Sequence, residues 1–220
     1  MRLFRSPPFE DRRDAGRKLA AKLSRFRGAG CVVFGLPRGG VPVAYEISRS
    51  LGAPLDVFVS RKLGAPGQPE FGIGAVAAGG VRILNTDVIK RLGITDEYVD
   101  RITAQEAAEV NRRLRYFRGG RPEPEVAGRT AILVDDGLAT GVTARAALEA
   151  LKLRGPERLI LAAPVCAAQT VGHFASLVDE LVCLTSPSDL GAIGLWYRNF
   201  DQTTDQEVVQ LLREAREELG

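Results

Sequence analysis

The 220-residue chain is poor in the residues that build metal and nucleophile chemistry. It has one histidine, His173, and three cysteines, Cys31, Cys166 and Cys183. The cysteines are far apart and none has the spacing of a metal-ligand pair, which argues against a zinc site. No serine–histidine–acid arrangement is visible. Each cysteine sits in an apolar run, so all three read as reduced core residues of a cytoplasmic protein. No apolar run approaches the roughly 20 residues that a membrane span needs. Residues 1–10 are charged, carry proline and lack an apolar stretch, so no signal peptide is expected. Charge of one sign is scarce as well. Thirty basic against 27 acidic residues leave a formal +3, too mild to argue for nucleic acid. The basic face Arg12, Arg13, Arg17, Lys18 and Lys22 reads as solvated. Arg112, Arg113, Arg115 and Arg118 read as cations that favour a helix C-terminus. There is no internal repeat and no low-complexity segment.

What is present is a globular pattern, with 45% apolar and 26% charged residues. A chain of this length buries a core without disulfides or metals. Asp11 to Arg27 has helical spacing at Ala15, Leu19, Leu23 and Phe26. Cys31 to Phe34 is a short apolar strand, Val41 to Leu51 a helix, and Leu55 to Val59 a second strand. From Arg61 to Gly80 glycine and proline crowd together. That stretch predicts a mobile loop leading into a hairpin, with Ile73 to Ala77 pairing with Arg82 to Leu84. Thr95 or Asp96 caps a long helix running to about Phe117. Thr130 to Val134, Leu159 to Ala163 and Leu181 to Leu184 are further strands. Val142 to Leu153, Gln169 to Leu177 and Asp205 to Leu219 are helices. Alternating helices and fully apolar strands predict an α/β fold, with a parallel sheet covered on both faces.

The segment Ala131-Ile-Leu-Val-Asp-Asp-Gly-Leu-Ala-Thr-Gly-Val-Thr143 carries most chemistry. An apolar strand ends in Asp135 and Asp136. A loop of small residues follows, and then a helix starts near Val142. Ligands of open parallel sheets bind beyond the carboxyl ends of the strands. Backbone N–H groups of Gly137 to Thr143, the hydroxyls of Thr140 and Thr143, and the helix N-terminus all favour an anion. Two carboxylates beside a phosphate cradle suit the vicinal hydroxyls of a ribose 5-phosphate. Upstream, Gly35-Leu-Pro-Arg-Gly-Gly40 directly follows a strand. Its glycines permit close approach to an anion, and Arg38 can fork onto phosphate oxygens. It lacks the G-x-G-x-x-G spacing of a dinucleotide loop.

The 131–143 segment resembles the signature of the type I phosphoribosyltransferases, a family that uses 5-phosphoribosyl-1-pyrophosphate (PRPP). The resemblance implies a Rossmann-like open parallel sheet flanked by helices, with a β-hairpin flexible loop and a small hood. The whole chain, 1–220, would be one such domain, its hood built from 85–120, from 185–220, or from both. Asp135 and Asp136 would hold the ribose hydroxyls, partly through Mg2+, met directly or by way of water. Gly137, Leu138, Ala139, Thr140, Gly141 and Thr143 would hold the 5-phosphate. Pro37, Arg38, Gly39 and Gly40 would form the pyrophosphate loop. Arg61 or Lys62, at the start of the flexible loop, would meet the leaving pyrophosphate as catalytic cations. Trp196 or Tyr197 would stack on the acceptor.

The implied reaction transfers the phosphoribosyl group from PRPP to a nucleobase or other nitrogen heterocycle and releases pyrophosphate, a step of nucleotide metabolism. A dimer is common in the family, while the cysteines, the short apolar runs and the mild charge point to a cytoplasmic protein without membrane or nucleic-acid partners. The alternative is a regulatory protein that binds PRPP on the same fold without turnover. Two departures stand out. Gly137 replaces a usual aliphatic residue. Ala139 and Val142 stand where enzymes acting on 6-oxopurines usually carry Asp and Lys, so hypoxanthine and guanine are expected to be poor acceptors.

Overall fold

The computed structural model describes residues 8–219. The first seven residues, most of the segment read for a signal peptide, lie outside them. Helix α1, Arg12–Leu23, starts where the Asp11 side chain accepts a hydrogen bond from Asp14 N at 2.7 Å, satisfying one of the free N–H groups of the first turn. It buries Ala15, Leu19, Ala20 and Leu23 and continues into a short 3-10 turn, Ser24–Phe26. Gly16 lets α1 lie close on the next helix, because a Cβ there would stand 2.8 Å from Val43 O. Strand β1, Val32–Gly35, is wholly buried; α2, Gly40–Leu51, returns the chain to β2, Leu55–Val57.

The main sheet is completed by β6, Thr130–Val134, β7, Arg158–Val165, and β8, Glu180–Thr185, in the order β2-β1-β6-β7-β8 and all parallel. Its residues alternate between two cores, as a pleat of period two requires. Val33, Ile132, Val134, Ile160 and Ala162 pack with α1, α2 and α7, Asp205–Glu217. Phe34, Ala131, Leu133, Leu159 and Leu161 pack with α5, Val142–Lys152, and α6, Ala168–Ala175. The expected doubly covered α/β sheet is therefore present.

The glycine-rich stretch is not a loop. Strands β3, Ser60–Ala65, β4, Gln68–Ala77, and β5, Arg82–Leu84, make a second, antiparallel sheet. The expected pairing of 73–77 with 82–84 is there, Ala75 facing Ile83. The expected mobile loop before it is corrected to a hairpin closed at Pro66-Gly67, with Gly67 at φ 69°. Pro followed by a left-handed Gly is turn chemistry. The other glycines are sites of close approach, not breaks. A Cβ on Gly64 would stand 2.7 Å from Pro69 Cα, and one on Gly74 would overlap Ile83 O. Helices α3, Thr86–Arg91, and α4, Asp96–Arg118, complete this half, with Thr95 capping α4 as expected.

One cysteine reading is overturned. Cys166 and Cys183 form a disulfide with Cα atoms 6.3 Å apart, and Cys31 alone is free and buried. Distance along the chain misleads here: β7 and β8 are sheet neighbours, with Ala163 opposite Cys183 and Cys166 just beyond the end of β7.

Candidate active site

The chain leaves β1 towards β2 on one side of the sheet and leaves β6 towards β7 and β8 on the other. The point where this order reverses lies between β1 and β6, where the carboxyl ends of two parallel strands diverge and open a crevice. The two motifs follow these two strands. The first loop begins with Leu36 N donating to Val134 O at 2.9 Å, and Gly40 N closes it on Leu36 O at 3.0 Å. Its Pro37–Arg38 peptide is cis. A Cβ on Gly40 would stand 2.5 Å from Val134 O, and one on Gly39 would overlap Asp136 Oδ2. Pro37, Arg38, Gly39 and Gly40 thus lie against the strand end that carries the acids. The Arg38 side chain turns outward, with Nη1 3.9 Å from Asp205 Oδ1. An exposed pair at that distance contributes little, so the guanidinium is free to reorient.

The second loop is stitched to the sheet by its own backbone. Leu138 N donates to Val165 O and Leu138 O accepts from Ala167 N, both at 2.8 Å. This buries the Leu138 side chain in the core. Gly141 caps α5 at φ 66°, packed on the ring of Phe174. Thr140 and Thr143 are exposed at the mouth. The missing aliphatic side chain at Gly137 is explained by Ile193, whose Cδ1 would lie 2.5 Å from a Cβ there.

The acids differ in their surroundings. Asp135 Oδ1 accepts from Asp136 N at 2.9 Å. Asp136 Oδ2 accepts from Arg12 Nε at 2.8 Å. Burial, and then the neighbouring charge of Asp136, hold the Asp135 carboxyl well above the usual carboxylate range. Burial also raises Asp136, against the opposing pull of Arg12. The sequence places Arg12 on a solvated face; its side chain is only 12% exposed, and that reading is corrected. A basic helix face gives no sign of which cation has a distant acid to meet.

The segment after β8 lies against the loop that follows β6. Tyr197 is buried, and its hydroxyl donates to Asp136 O at 2.6 Å. Burial lifts its phenol well above the ordinary tyrosine range. Its ring stacks on Phe200 with centroids 4.9 Å apart, so it is a strut and presents no face to an acceptor. Trp196 is half-buried against the cluster of Val165, Ala167 and Leu190, with Nε1 donating to Leu190 O at 3.0 Å. Arg61 and Lys62 are not brought to the acids. Arg61 Nε is held by Glu106 at 2.7 Å, and Lys62 Nζ by Glu70 at 2.8 and 2.9 Å. Ser60, at the start of that strand, does reach the loop, its hydroxyl donating to Thr143 O at 3.4 Å. Sequence reasoning misses Arg12, Ile193 and Phe200. Each acts across a long separation that local pattern does not encode.

Known proteins resemble this chain along most of its length. Two Mycobacterium tuberculosis proteins, provisionally named as phosphoribosyl transferases, are each 47% identical to this chain over 212 residues, covering 96% of it and 48% of their own length. The chain thus spans about half the length of the curated relatives it matches. A crystal structure of TT1426 from Thermus thermophilus is 41% identical and superposes with a TM-score of 0.83, covering 94% of this chain and 98% of that one. The phosphoribosyl transferase domain family matches residues 9–194, a span that takes in both loops, both acids and Ile193, and the chain belongs to that family.

Proposed function

We propose that this chain binds PRPP at the switch point and transfers its 5-phosphoribosyl group to a nitrogen of an acceptor, releasing pyrophosphate. The observation that carries the reading is the convergence of the two loops, with Gly39 in contact with the carboxylate of Asp136. Loop 137–143 offers N–H groups and the helix N-terminus to the 5-phosphate. Asp135 and Asp136 each keep one carboxylate oxygen without a protein partner among the described residues, and these suit the ribose hydroxyls. Loop 37–40 faces the pyrophosphate. In the reaction the bond from C1 to the pyrophosphate oxygen breaks, a C1–N bond forms, and the acceptor nitrogen loses a proton. The residues named contribute by positioning and by charge placement.

The donor set suits Mg2+ in one form. No group of three or more His, Cys, Asp or Glu could hold an ion alone among the described residues. Magnesium, however, commonly takes one or two carboxylates together with substrate phosphates and waters. Asp135 and Asp136 are the residues that would hold it, and it would supply neutralisation of charge on the departing pyrophosphate.

Of the two basic candidates, Lys62 suits the leaving group better. Its partner Glu70 is 97% exposed, whereas the partner of Arg61, Glu106, is 11% exposed. Releasing a surface pair costs about 0–1 kcal/mol. The engagement of both cations also supports a second reading, PRPP binding without turnover. Trp196 remains the aromatic candidate for the acceptor; Tyr197 is withdrawn. The 6-oxopurines are expected to be poor acceptors because Ala139 offers no carboxylate. Release of pyrophosphate from PRPP across a panel of heterocycles tests the proposal. Acceptor-dependent release supports transfer. Turnover of hypoxanthine or guanine at about 1 per second or more would contradict the acceptor argument. Binding with no release under any acceptor would favour the regulatory reading.

A further inference from the structure

The segment that opens α1 and the segment between β8 and α7 meet at Asp136. Phe9 N donates to Trp196 O at 3.2 Å, and Phe9 O accepts from Arg198 N at 2.9 Å, so the N-terminal segment runs beside the segment after β8. Helix α1 starts from this junction, and its first residue, Arg12, reaches the site. One guanidinium makes three contacts. Nε donates to Asp136 Oδ2 at 2.8 Å, Nη1 donates to Asp201 O at 2.7 Å, and the guanidinium carbon lies 3.8 Å from the centroid of the Phe200 ring. Tyr197 fixes the backbone of the same aspartate. Asp136 is therefore held at its side chain from α1 and at its carbonyl from the segment between β8 and α7. Its captured oxygen, Oδ2, is the one that lies against Gly39 of the opposite loop.

A negative charge on Asp136 facing a polyanionic substrate repels it. Among the described residues Arg12 is the one cation ion-paired with either acid. Its contacts use what distinguishes arginine from lysine, a planar fork with several donors and a flat face for an aromatic ring.

We propose that Arg12 is a positioning residue for PRPP binding, which neutralises Asp136 and fixes the carboxylate against the Gly39 loop, with Phe200 as its platform. The proposal rests on the PRPP reading above. It makes the start of α1 and the segment between β8 and α7 part of the substrate site, although neither carries a motif residue that would touch PRPP.

The test is calorimetric titration of PRPP with magnesium into the full chain and its variants, with thermal melts alongside. Arg12→Ala is expected to weaken binding by about tenfold to a hundredfold, the range set by loss of one charged hydrogen bond. Arg12→Lys is expected to fall between, and millimolar guanidinium ion to restore part of the affinity of Arg12→Ala without strengthening the wild type. A purely structural role would not produce that rescue. Phe200→Leu keeps the packing but removes the ring face; it is expected to weaken binding about two- to fivefold and decides the matter if Arg12→Ala does not fold. Wild-type affinity in a folded Arg12→Ala, or in Phe200→Leu where that variant decides, tighter binding, or weakening that neither lysine nor guanidinium relieves would overturn the proposal. A folded wild type that binds no PRPP would fail the reading beneath it, a result distinct from these.

Discussion

Gly137 and Ile193 form a size-matched pair across the site. The glycine is small because Ile193, in the segment after β8, occupies its side-chain space. Gly137→Val is expected to destabilise the fold by about 1–3 kcal/mol through overpacking. Combining it with Ile193→Ala should recover most of that loss; failure of the double variant to melt above the single one would contradict the pairing. At the acids, the sign of the pH dependence follows from burial. The native Asp135 carboxyl sits well above its ordinary value, so the folded chain keeps a proton that the unfolded chain has lost. Stability from this group is fully present below the unfolded value and declines as pH rises through the raised native one. Asp135→Asn lacks this decline. Its melting temperature should gain on the wild type as pH rises above about 4, and a difference that stays constant with pH would count against a proton-retaining Asp135. The acids are legible in the sequence because they stand in one contiguous run with the strand and loop. Arg12 is not, because nothing in α1 separates it from its four solvated-looking basic neighbours until the sheet brings Asp136 beneath it.

At the scale of elements, the strands of the main sheet are readable because both faces are buried and their runs are wholly apolar, as in Thr130–Val134. The β3–β4 hairpin is misread because glycine signals both a flexible loop and a close backbone contact. Only the pairing partner tells the two apart: Gly74 lies under Ile83 O, and Gly67 turns the hairpin. Gly74→Val should therefore break the β4–β5 ladder and raise hydrogen exchange at Ala75 and Val76, while leaving the β6 amides protected. Uniform loss of protection would mean that the antiparallel sheet is not a separate unit. Lys62→Ala should slow pyrophosphate release while leaving PRPP affinity within about twofold of the wild type, the behaviour of an interaction made only in the transition state.

The whole molecule is closed by contacts that no local pattern announces: the Phe9–Tyr197 bridge, and the disulfide that ties β7 to β8. The disulfide closes a span of 17 residues, for which chain entropy implies about 3 kcal/mol. Cys183→Ser should lower stability by about that amount, and a dithiol reductant should lower the wild-type melting temperature but not that of the variant. Thiol titration of the denatured, unreduced chain should find Cys31 alone; three free thiols would contradict the cross-link.

The central claim is that the switch point between β1 and β6 is a PRPP site. Its most direct test is calorimetric titration of PRPP with magnesium into wild type and Asp135→Asn. The account predicts saturable one-site binding by the wild type, weakened by about tenfold or more in a variant that melts like a folded protein. A folded wild type that gives no heat of binding, or an Asp135→Asn that binds as tightly as the wild type, would contradict it.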